Sequence, residues 1–154
     1  MSNAIISLKP RHSANVLKGE KTVEIRNRPV NLQPGTRLWI YSTLPRGCLE
    51  AVAVVSKVYR DSPNVIWKKY SKDMAISKEE YRAYVSSSII VSAIVIDKVI
   101  KIDPVVSLRR LQLDAEGFHP PQFFKRLLLG TPLLEYLHSL LEVDDNSQLE
   151  NSSV

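Results

Sequence analysis

The sequence has few of the residues and segments that mark specialised classes of protein. It contains one cysteine, Cys48, in 154 residues, which excludes an internal disulfide and a thiolate zinc cluster. No apolar run reaches the ~20 residues of a membrane-spanning helix, and the first residues do not read as a signal peptide. We therefore expect a cytoplasmic protein without a membrane partner.

Histidine is also scarce, with three in the chain. His12, His119 and His138 are too far apart for ordinary metal-ligand spacing, so we predict no metal and no cofactor. Cys48 has no identifiable base near it in the sequence. We expect it to be a small buried apolar side chain rather than a nucleophile.

Positive charge is present in excess, and the excess lies in one half of the chain. Residues 1–72 hold 13 Lys and Arg against 4 Asp and Glu, a net charge of +9, whereas residues 73–154 hold 8 against 12, a net charge of −4. A concentrated cationic face attracts polyanions and releases their counterions. This asymmetry favours a polyanion-binding half over the alternative, a solvated surface that is rich in lysine.

The length and composition fit one domain. With 44% hydrophobic and 24% charged residues, the chain can bury a single core. The segment after residue 143 is polar and has almost nothing to bury, so ordering it would not offset the lost entropy. We predict a single domain over residues 1–143 and a disordered tail over residues 144–154.

Hydrophobic periodicity and turn signals predict an α+β fold. Strands are expected at residues 4–8, 22–28, 38–43, 48–58 and 89–102, and helices at residues 10–18, 108–113 and after the capping residues Ser62, Ser77 and Thr131. The two long strands carry apolar residues on both faces, as strands do in a curled sheet covered by helices. This order favours a small mixed β-barrel with inserted and flanking helices over a doubly wound fold.

The final predicted helix carries an apolar stripe at helical spacing: Leu133, Tyr136, Leu137, Leu140 and Leu141. Such a stripe either docks on the sheet or forms a dimer seam. Packing within the chain is the favoured interpretation, and a homodimer through this helix is the alternative.

One short motif stands out. Gly19 to Arg26 reads G-x-K-x-x-E-x-R at a predicted helix-to-strand junction. This motif resembles the signature of the ASCH domain, a relative of the PUA RNA-binding fold. Further matches in the same order and spacing lie at residues 6–10, 16–19, 39–45, 61–63, 66–67, 76–81 and 119–123. The resemblance covers roughly residues 4–127.

The resemblance implies a PUA-like β-barrel with a cleft between the barrel and the inserted helices, where RNA or a nucleotide binds. It also implies membership of a branch described as predicted transcriptional or RNA-related regulators. Some compact members of the superfamily resemble amidohydrolases acting on acetylated cytidine, with a lysine in the signature and a threonine three residues later. Lys21 matches the lysine, but Glu24 stands where the threonine would be.

The signature residues also form a constellation with chemical meaning. On an extended strand, Glu24 and Arg26 lie on one face about 7 Å apart, and Lys21 at the strand entry can lean towards them. Two cations suit phosphate, and a carboxylate can accept from the amino edge of a base. A structural ion pair at the mouth of the barrel is the alternative interpretation.

Other residues extend this candidate nucleic-acid-binding set. Lys9, Arg11 and Arg28 lie near the same junction and suit contacts with the phosphate backbone. Tyr41 is a candidate for base stacking beside Thr43. Gln122, which follows two prolines, is a candidate for the far wall, and a rigid plug that closes the barrel is the alternative interpretation of this segment.

The sequence leaves two classes of function open. The favoured one is a non-catalytic module that binds RNA or a nucleotide. The alternative is a small hydrolase that uses Lys21 with Glu24 on a modified nucleoside or on RNA, since a desolvated lysine can take part in proton transfer.

Overall fold

The computed structural model describes residues 1–115 and 117–152, with side chains through residue 142. It shows an α+β fold with six strands in one sheet and five helices. The strands are β1 (Asn3–Leu8), β2 (Val23–Arg26), β3 (Arg37–Ser42), β4 (Cys48–Asp61), β5 (Val91–Ser107) and β6 (Phe124–Leu127). The helices are α1 (Pro10–Leu17), α2 (Pro63–Tyr70), α3 (Lys78–Tyr84), α4 (Leu108–Asp114) and α5 (Pro132–Ser152).

The sheet has the strand order β2-β5-β4-β3-β1-β6 and curls into a half-barrel. β1 and β3 are parallel, and every other neighbouring pair is antiparallel. The curl is visible in one contact: Arg26 on the edge strand β2 donates to the carbonyl of Ser7 on β1, at 3.1 Å. Three strands, β5, β4 and β3, lie between β2 and β1 in the sheet. Only a strongly curled sheet can therefore bring β2 and β1 together.

Strand alternation divides the core between the two faces of the sheet. On β1, Ala4 and Ile6 point into the concave interior, whereas Ile5 packs on the outer face under α4 and α5. On β3, Leu38 and Trp39 alternate between the same two cores. A third core joins β2 and β5 to α2 and α3. Both faces of the long strands are therefore covered, as their composition predicts.

The residues that were predicted to begin or end helices do so in the structure. Pro10 opens α1, and Gly19 follows its end with a φ of 77°, the left-handed conformation that glycine tolerates. Ser62 accepts a hydrogen bond from the Val65 amide, and Ser77 accepts one from the Glu80 amide. These caps fix the starts of α2 and α3, the helices inserted between β4 and β5.

The predicted elements are present, and one strand was not predicted. β6 forms the edge of the sheet beside β1. It lies in the segment that follows Pro120 and Pro121, where the sequence predicts no strand. The apolar stripe of α5 packs on the outer core of its own chain, and the homodimer stays a prediction. Cys48 is buried and unpaired, as predicted.

The predicted disordered tail begins beyond the residues whose side chains the structure describes. α5 runs to Ser152, and the prediction for residues 144–154 stays a prediction. The helices of the described residues are too short or too polar to span a lipid bilayer.

Candidate functional site

A cleft of about 840 Å³ opens at the carboxyl ends of β1 and β3, opposite β2. Its walls come from the curled sheet, α1, α3 and the segment that leads into β6. Polar and aromatic side chains mix with apolar ones along it. The lining residues are Ser7, Leu8, Lys9, His12, Lys21, Glu24, Ile25, Arg26, Tyr41, Thr43, Leu44, Ile76, Glu80, Tyr84, Leu108, Pro120, Pro121, Gln122 and Phe123.

Lys21 lies at the base of the cleft and is 2% exposed. Its backbone is held from two sides: its own amide bonds to Asn15, and the next two amides bond to the carbonyl of Asp73. The Lys21 ammonium donates to the carbonyl of Met74 at 2.7 Å. Burial lowers the pKa of Lys21 from its usual value, although the nearby Glu24 carboxylate opposes that shift.

Glu24 and Arg26 project side by side from β2 into the same cleft. One Glu24 oxygen lies 3.9 Å from the Lys21 nitrogen, and the other lies 4.0 Å from Nε of Arg26. These separations are ion pairs without close hydrogen bonds. The two cations therefore flank the carboxylate without saturating it.

Four buried polar atoms in this cleft have no hydrogen-bond partner among the described residues. They are the Ser7 hydroxyl, His12 Nδ1, Glu24 Oε2 and Arg26 Nε. Buried polar groups are normally satisfied, because an unpaired one costs about 1–3 kcal/mol. Four of the six unpaired buried polar atoms among the described side chains belong to residues that line this cavity, and the other two are the hydroxyls of Ser42 and Tyr70. This concentration makes the cleft the candidate ligand site.

His12 and Glu80 form the wall between α1 and α3. His12 Nε2 lies 3.8 Å from a Glu80 oxygen, and Arg11 bonds to the same carboxylate from the outside. Burial, reinforced by the charge of Lys21, lowers the pKa of His12, so the imidazole is neutral near pH 7. The hydrogen bond from Arg11 holds the pKa of Glu80 below its usual value, so Glu80 is ionised.

The structure brings together most of the predicted site residues. Lys9, Tyr41, Thr43 and Gln122 line the cleft with the three signature residues. Two predicted residues do not line it: Arg11 is paired with Glu80, and Arg28 stacks on the Phe123 ring with its guanidinium 3.7 Å from the centroid. Arg11 and Arg28 therefore contact residues of the cleft wall without lining the cleft themselves.

Sequence reasoning missed His12 and Glu80. Glu80 has the position of the acidic residue in a capping box, but its carboxylate reaches Arg11 rather than the start of α3. His12 is an isolated histidine in a short helix, and only the fold shows what it faces. Ser7 was missed because β1 otherwise reads as an apolar strand. The sequence offered one indication for these residues. Ser7 and Glu80 lie within segments that match the ASCH domain, residues 6–10 and 76–81, and His12 lies between the matched residues 6–10 and 16–19.

No group of three or more His, Cys, Asp or Glu side chains that could hold a metal ion occurs within the described ranges, residues 1–115 and 117–152. His12 and Glu80 are the nearest approach to a ligand pair in the cleft. The site offers cationic donors, one unsaturated carboxylate and a neutral imidazole. That set can bind an anion and move a proton.

The comparisons with known proteins agree with this architecture. The family described as a domain of unknown function (DUF365) matches residues 4–114. The chain belongs to this family and is an ASCH domain protein. A curated relative from Zymomonas mobilis, described as an ASCH domain-containing ribonuclease, is 29% identical over 119 residues, 77% of this chain and 80% of the relative.

Solved structures extend the likeness to the fold of this ASCH domain. The crystal structure of ASCH from Zymomonas mobilis superposes with a TM-score of 0.83 at 28% identity, covering 90% of this chain and 94% of that one. A crystal structure of a mutant of the same protein gives a TM-score of 0.84 at 26% identity, covering 91% and 99%. The predicted PUA-like, α+β architecture is therefore confirmed.

Proposed function

We propose that this ASCH domain binds single-stranded RNA in the cleft and cleaves its phosphodiester backbone. The observation that carries the proposal is the buried, unsaturated Glu24 carboxylate between two cations. A purely structural ion pair would be expected to close its hydrogen bonds, because leaving them open costs free energy. The relative described as a ribonuclease supports RNA as the substrate class.

The cleavage step follows from these groups. The 2′-hydroxyl of the ribose attacks the adjacent phosphorus and gives its proton to Glu24. The bond from phosphorus to the 5′ oxygen breaks, and the 5′ oxygen takes a proton from the Lys21 ammonium. The products are a 2′,3′-cyclic phosphate and a 5′-hydroxyl end. General acid–base catalysis of this kind contributes about 10²–10⁴-fold to a rate.

Lys21 suits the role of acid because its pKa is lowered by burial, which makes the ammonium a better proton donor. Arg26 lines the cleft, and its guanidinium donates to the phosphate oxygens, whose negative charge grows as the new bond forms. The neutral His12 lines the wall and can hydrogen-bond the ribose or the base. Tyr41 is 2% exposed, so its ring does not present a stacking face to a base.

The test is an end-group analysis of RNA incubated with the purified protein. A 5′-labelled, unstructured oligoribonucleotide should be cut into fragments ending in a cyclic phosphate, and the matching DNA oligonucleotide should survive because it lacks the 2′-hydroxyl. Glu20→Gln, an exposed neighbour that does not line the cleft, is the matched control for Glu24→Gln. The control variant should cleave like the wild type.

RNA that binds but stays intact would reduce the function to a binding module, the interpretation that the sequence alone favours. Cleavage of DNA and RNA at equal rates would contradict attack by the 2′-hydroxyl. An amidohydrolase acting on acetylated cytidine gains no support from the site, because Glu24 occupies the position of the expected threonine. A regulatory role in transcription and a cytoplasmic location stay predictions.

A further inference from the structure

A second basic surface lies outside the cleft, where α2 packs beside the end of β4. Four exposed lysines and one partly exposed tyrosine form it, and we call it the α2 basic face: Lys57, Tyr59, Lys68, Lys69 and Lys72. We propose that the RNA backbone continues across this face after it leaves the cleft. The inference rests on the proposed function and extends it from the cleavage site to the rest of the bound strand.

One contact shows that helix and strand form a single surface. The Lys69 ammonium on α2 lies 4.0 Å from the centroid of the Tyr59 ring on β4. Lys57 shares the Tyr59 side of β4, because side chains two apart on a strand face the same way. Val58, between them, packs into the concave core on the other side. The cations of both elements therefore face outward together.

The positive charge of this face outweighs the acidic residues beside it. Residues 56–73 contain two acidic residues, Asp61 and Asp73. The Asp61 carboxylate accepts a hydrogen bond from the Ser62 amide at 2.7 Å. Across the described side chains, none of the four lysines forms a salt bridge, whereas Arg11 and Arg46 each pair with a glutamate. Uncompensated cations on one face attract a polyanion and release its counterions.

None of the five residues of the α2 basic face lines the cleft, but the chain leads directly from this face to the base of the cleft. Lys72 is two residues before Met74, whose carbonyl holds the Lys21 ammonium. Two residues span at most about 7 Å of extended chain, so the backbone of Lys72 lies within that distance of the backbone of Met74. Lys69 and Lys68, in the last turn of α2, come three and four residues before Lys72. We expect an RNA strand that leaves the cleft on this side to meet Lys72 first, and then Lys69 and Lys68 on α2.

The chemistry of the face suits an RNA backbone without sequence recognition. Lysine side chains on flexible stems contact phosphates but do not discriminate bases. The Tyr59 ring adds an aromatic surface on which a base can stack, as in other single-strand binding grooves. We expect the cleft to recognise and cleave the RNA. We expect the α2 basic face to add affinity only for RNA that is long enough to reach it.

The experiment compares short and long RNA. The triple variant Lys68→Gln, Lys69→Gln and Lys72→Gln is titrated with 2′-O-methyl oligouridylates of about 4 and about 20 nucleotides, which cannot be cleaved by 2′-hydroxyl attack. The matched control is Lys18→Gln, Lys101→Gln and Lys125→Gln, which removes the same charge from exposed lysines elsewhere. Fluorescence anisotropy gives affinity at several salt concentrations.

We expect the triple variant to bind the long oligonucleotide at least about tenfold more weakly, with a log–log salt slope shallower by about 2, since each lost phosphate contact removes roughly 0.7. The short oligonucleotide should bind as it does to the control. Equal affinity of triple variant and control for the long oligonucleotide would overturn the inference. So would unchanged RNA binding combined with loss of binding to phosphatidylserine vesicles, which would assign the face to a membrane surface.

The outcome separates this inference from the proposed function. Lys21→Ala should weaken both lengths, because the cleft is occupied in either case. If Lys21→Ala affects neither length while the triple variant still loses the long one, the cleft proposal fails and the α2 basic face stands. If only Lys21→Ala matters, the α2 basic face fails and the cleft stands.

Discussion

Two buried glutamates, Glu24 and Glu50, lie in the same small domain and are held in opposite ways. Glu50 is saturated: Ser13 donates to one oxygen and Arg46 to the other, each at 2.5 Å. Glu24 has cations only at 3.9 and 4.0 Å, and its Oε2 has no hydrogen-bond partner among the described residues. The difference distinguishes a carboxylate that holds the scaffold from one left open for a ligand.

The two carboxylates also act at different places. Glu50 on β4 ties α1, which carries His12, to the turn after β3, which carries Thr43 and Leu44 at the rim of the cleft. It therefore fixes the walls without entering the cavity. Glu24 is part of the cavity itself. Variants at the two positions should separate stability from activity, and the predictions below test that separation.

The largest expected effect on stability is at Glu50. Glu50→Ala leaves the buried Ser13 hydroxyl without its acceptor, at a cost of about 1–3 kcal/mol in the free energy of unfolding. Arg46 is half exposed, so water replaces its lost partner. Urea denaturation of this variant, with Glu20→Ala as the exposed control, measures the change. If Glu50→Ala is as stable as the control while Glu24→Ala unfolds the domain, the two roles are reversed.

The pH dependence of cleavage tests the proposed role of Lys21. Burial lowers its pKa in the folded protein below 10.5, and the acid loses its proton above that lowered value. We expect the rate to fall by up to tenfold per pH unit on an alkaline limb that begins below pH 10.5. The arginine of Lys21→Arg stays protonated at these alkaline pH values, so any residual activity of this variant should lack the alkaline limb.

Stability should move in the opposite direction over the same window. Because the unfolded chain holds the Lys21 proton more tightly, the folded state gains stability as pH rises from the lowered pKa to 10.5. Initial rates and urea midpoints measured on the same pH series check both signs. A rate that rises steadily through this window would contradict the assignment of Lys21 as the acid.

A smaller effect is expected behind the wall of the cleft. Arg28→Ala removes the guanidinium that stacks on Phe123, an exposed cation–π contact of about 0.5–1 kcal/mol. RNA affinity should fall by a few-fold at most, with the rate of bound RNA cleavage unchanged. Arg109→Ala, an exposed arginine on α4, is the comparison. A loss as large as that of Lys21→Ala would place Arg28 in the site after all.

The smallest effect is expected at the end of the chain. Removing residues 144–154 should leave the melting temperature within about 2 °C of the full chain, since the segment holds only Leu149 and Val154 as apolar residues. Thermal denaturation followed by circular dichroism checks this. A clear drop would show that the segment is docked on the domain.

Much of the fold could be predicted because its signals are local. Pro10 and Gly19 bound a helix by their own backbone preferences, and Ser62 and Ser77 cap the next two by side-chain chemistry. The alternation along β1 and β3 divides the core in two. β6 escaped prediction because four residues with no strict alternation carry little pattern, and its pairing with β1 joins segments over 115 residues apart.

The site could be predicted only in part, for the same reason. Glu24 and Arg26 share a face through strand periodicity, which sequence contains. Their closeness to Ser7, His12 and Glu80 depends on the curl of the sheet and on where α3 docks, which no local signal encodes. Glu80 even carried a competing local signal, as the acidic residue of a capping box.

The central claim is tested most directly by measuring binding and cleavage separately for Glu24→Gln. Its amide keeps an acceptor and the volume of the side chain but cannot take the proton. With a 5′-labelled RNA under single-turnover conditions, we expect a cleavage rate lower by about 10²–10⁴-fold, with the dissociation constant within a few-fold of wild type and a cooperative urea transition that shows a folded domain. A Glu24→Gln protein that cleaves RNA as fast as the wild type would contradict the account.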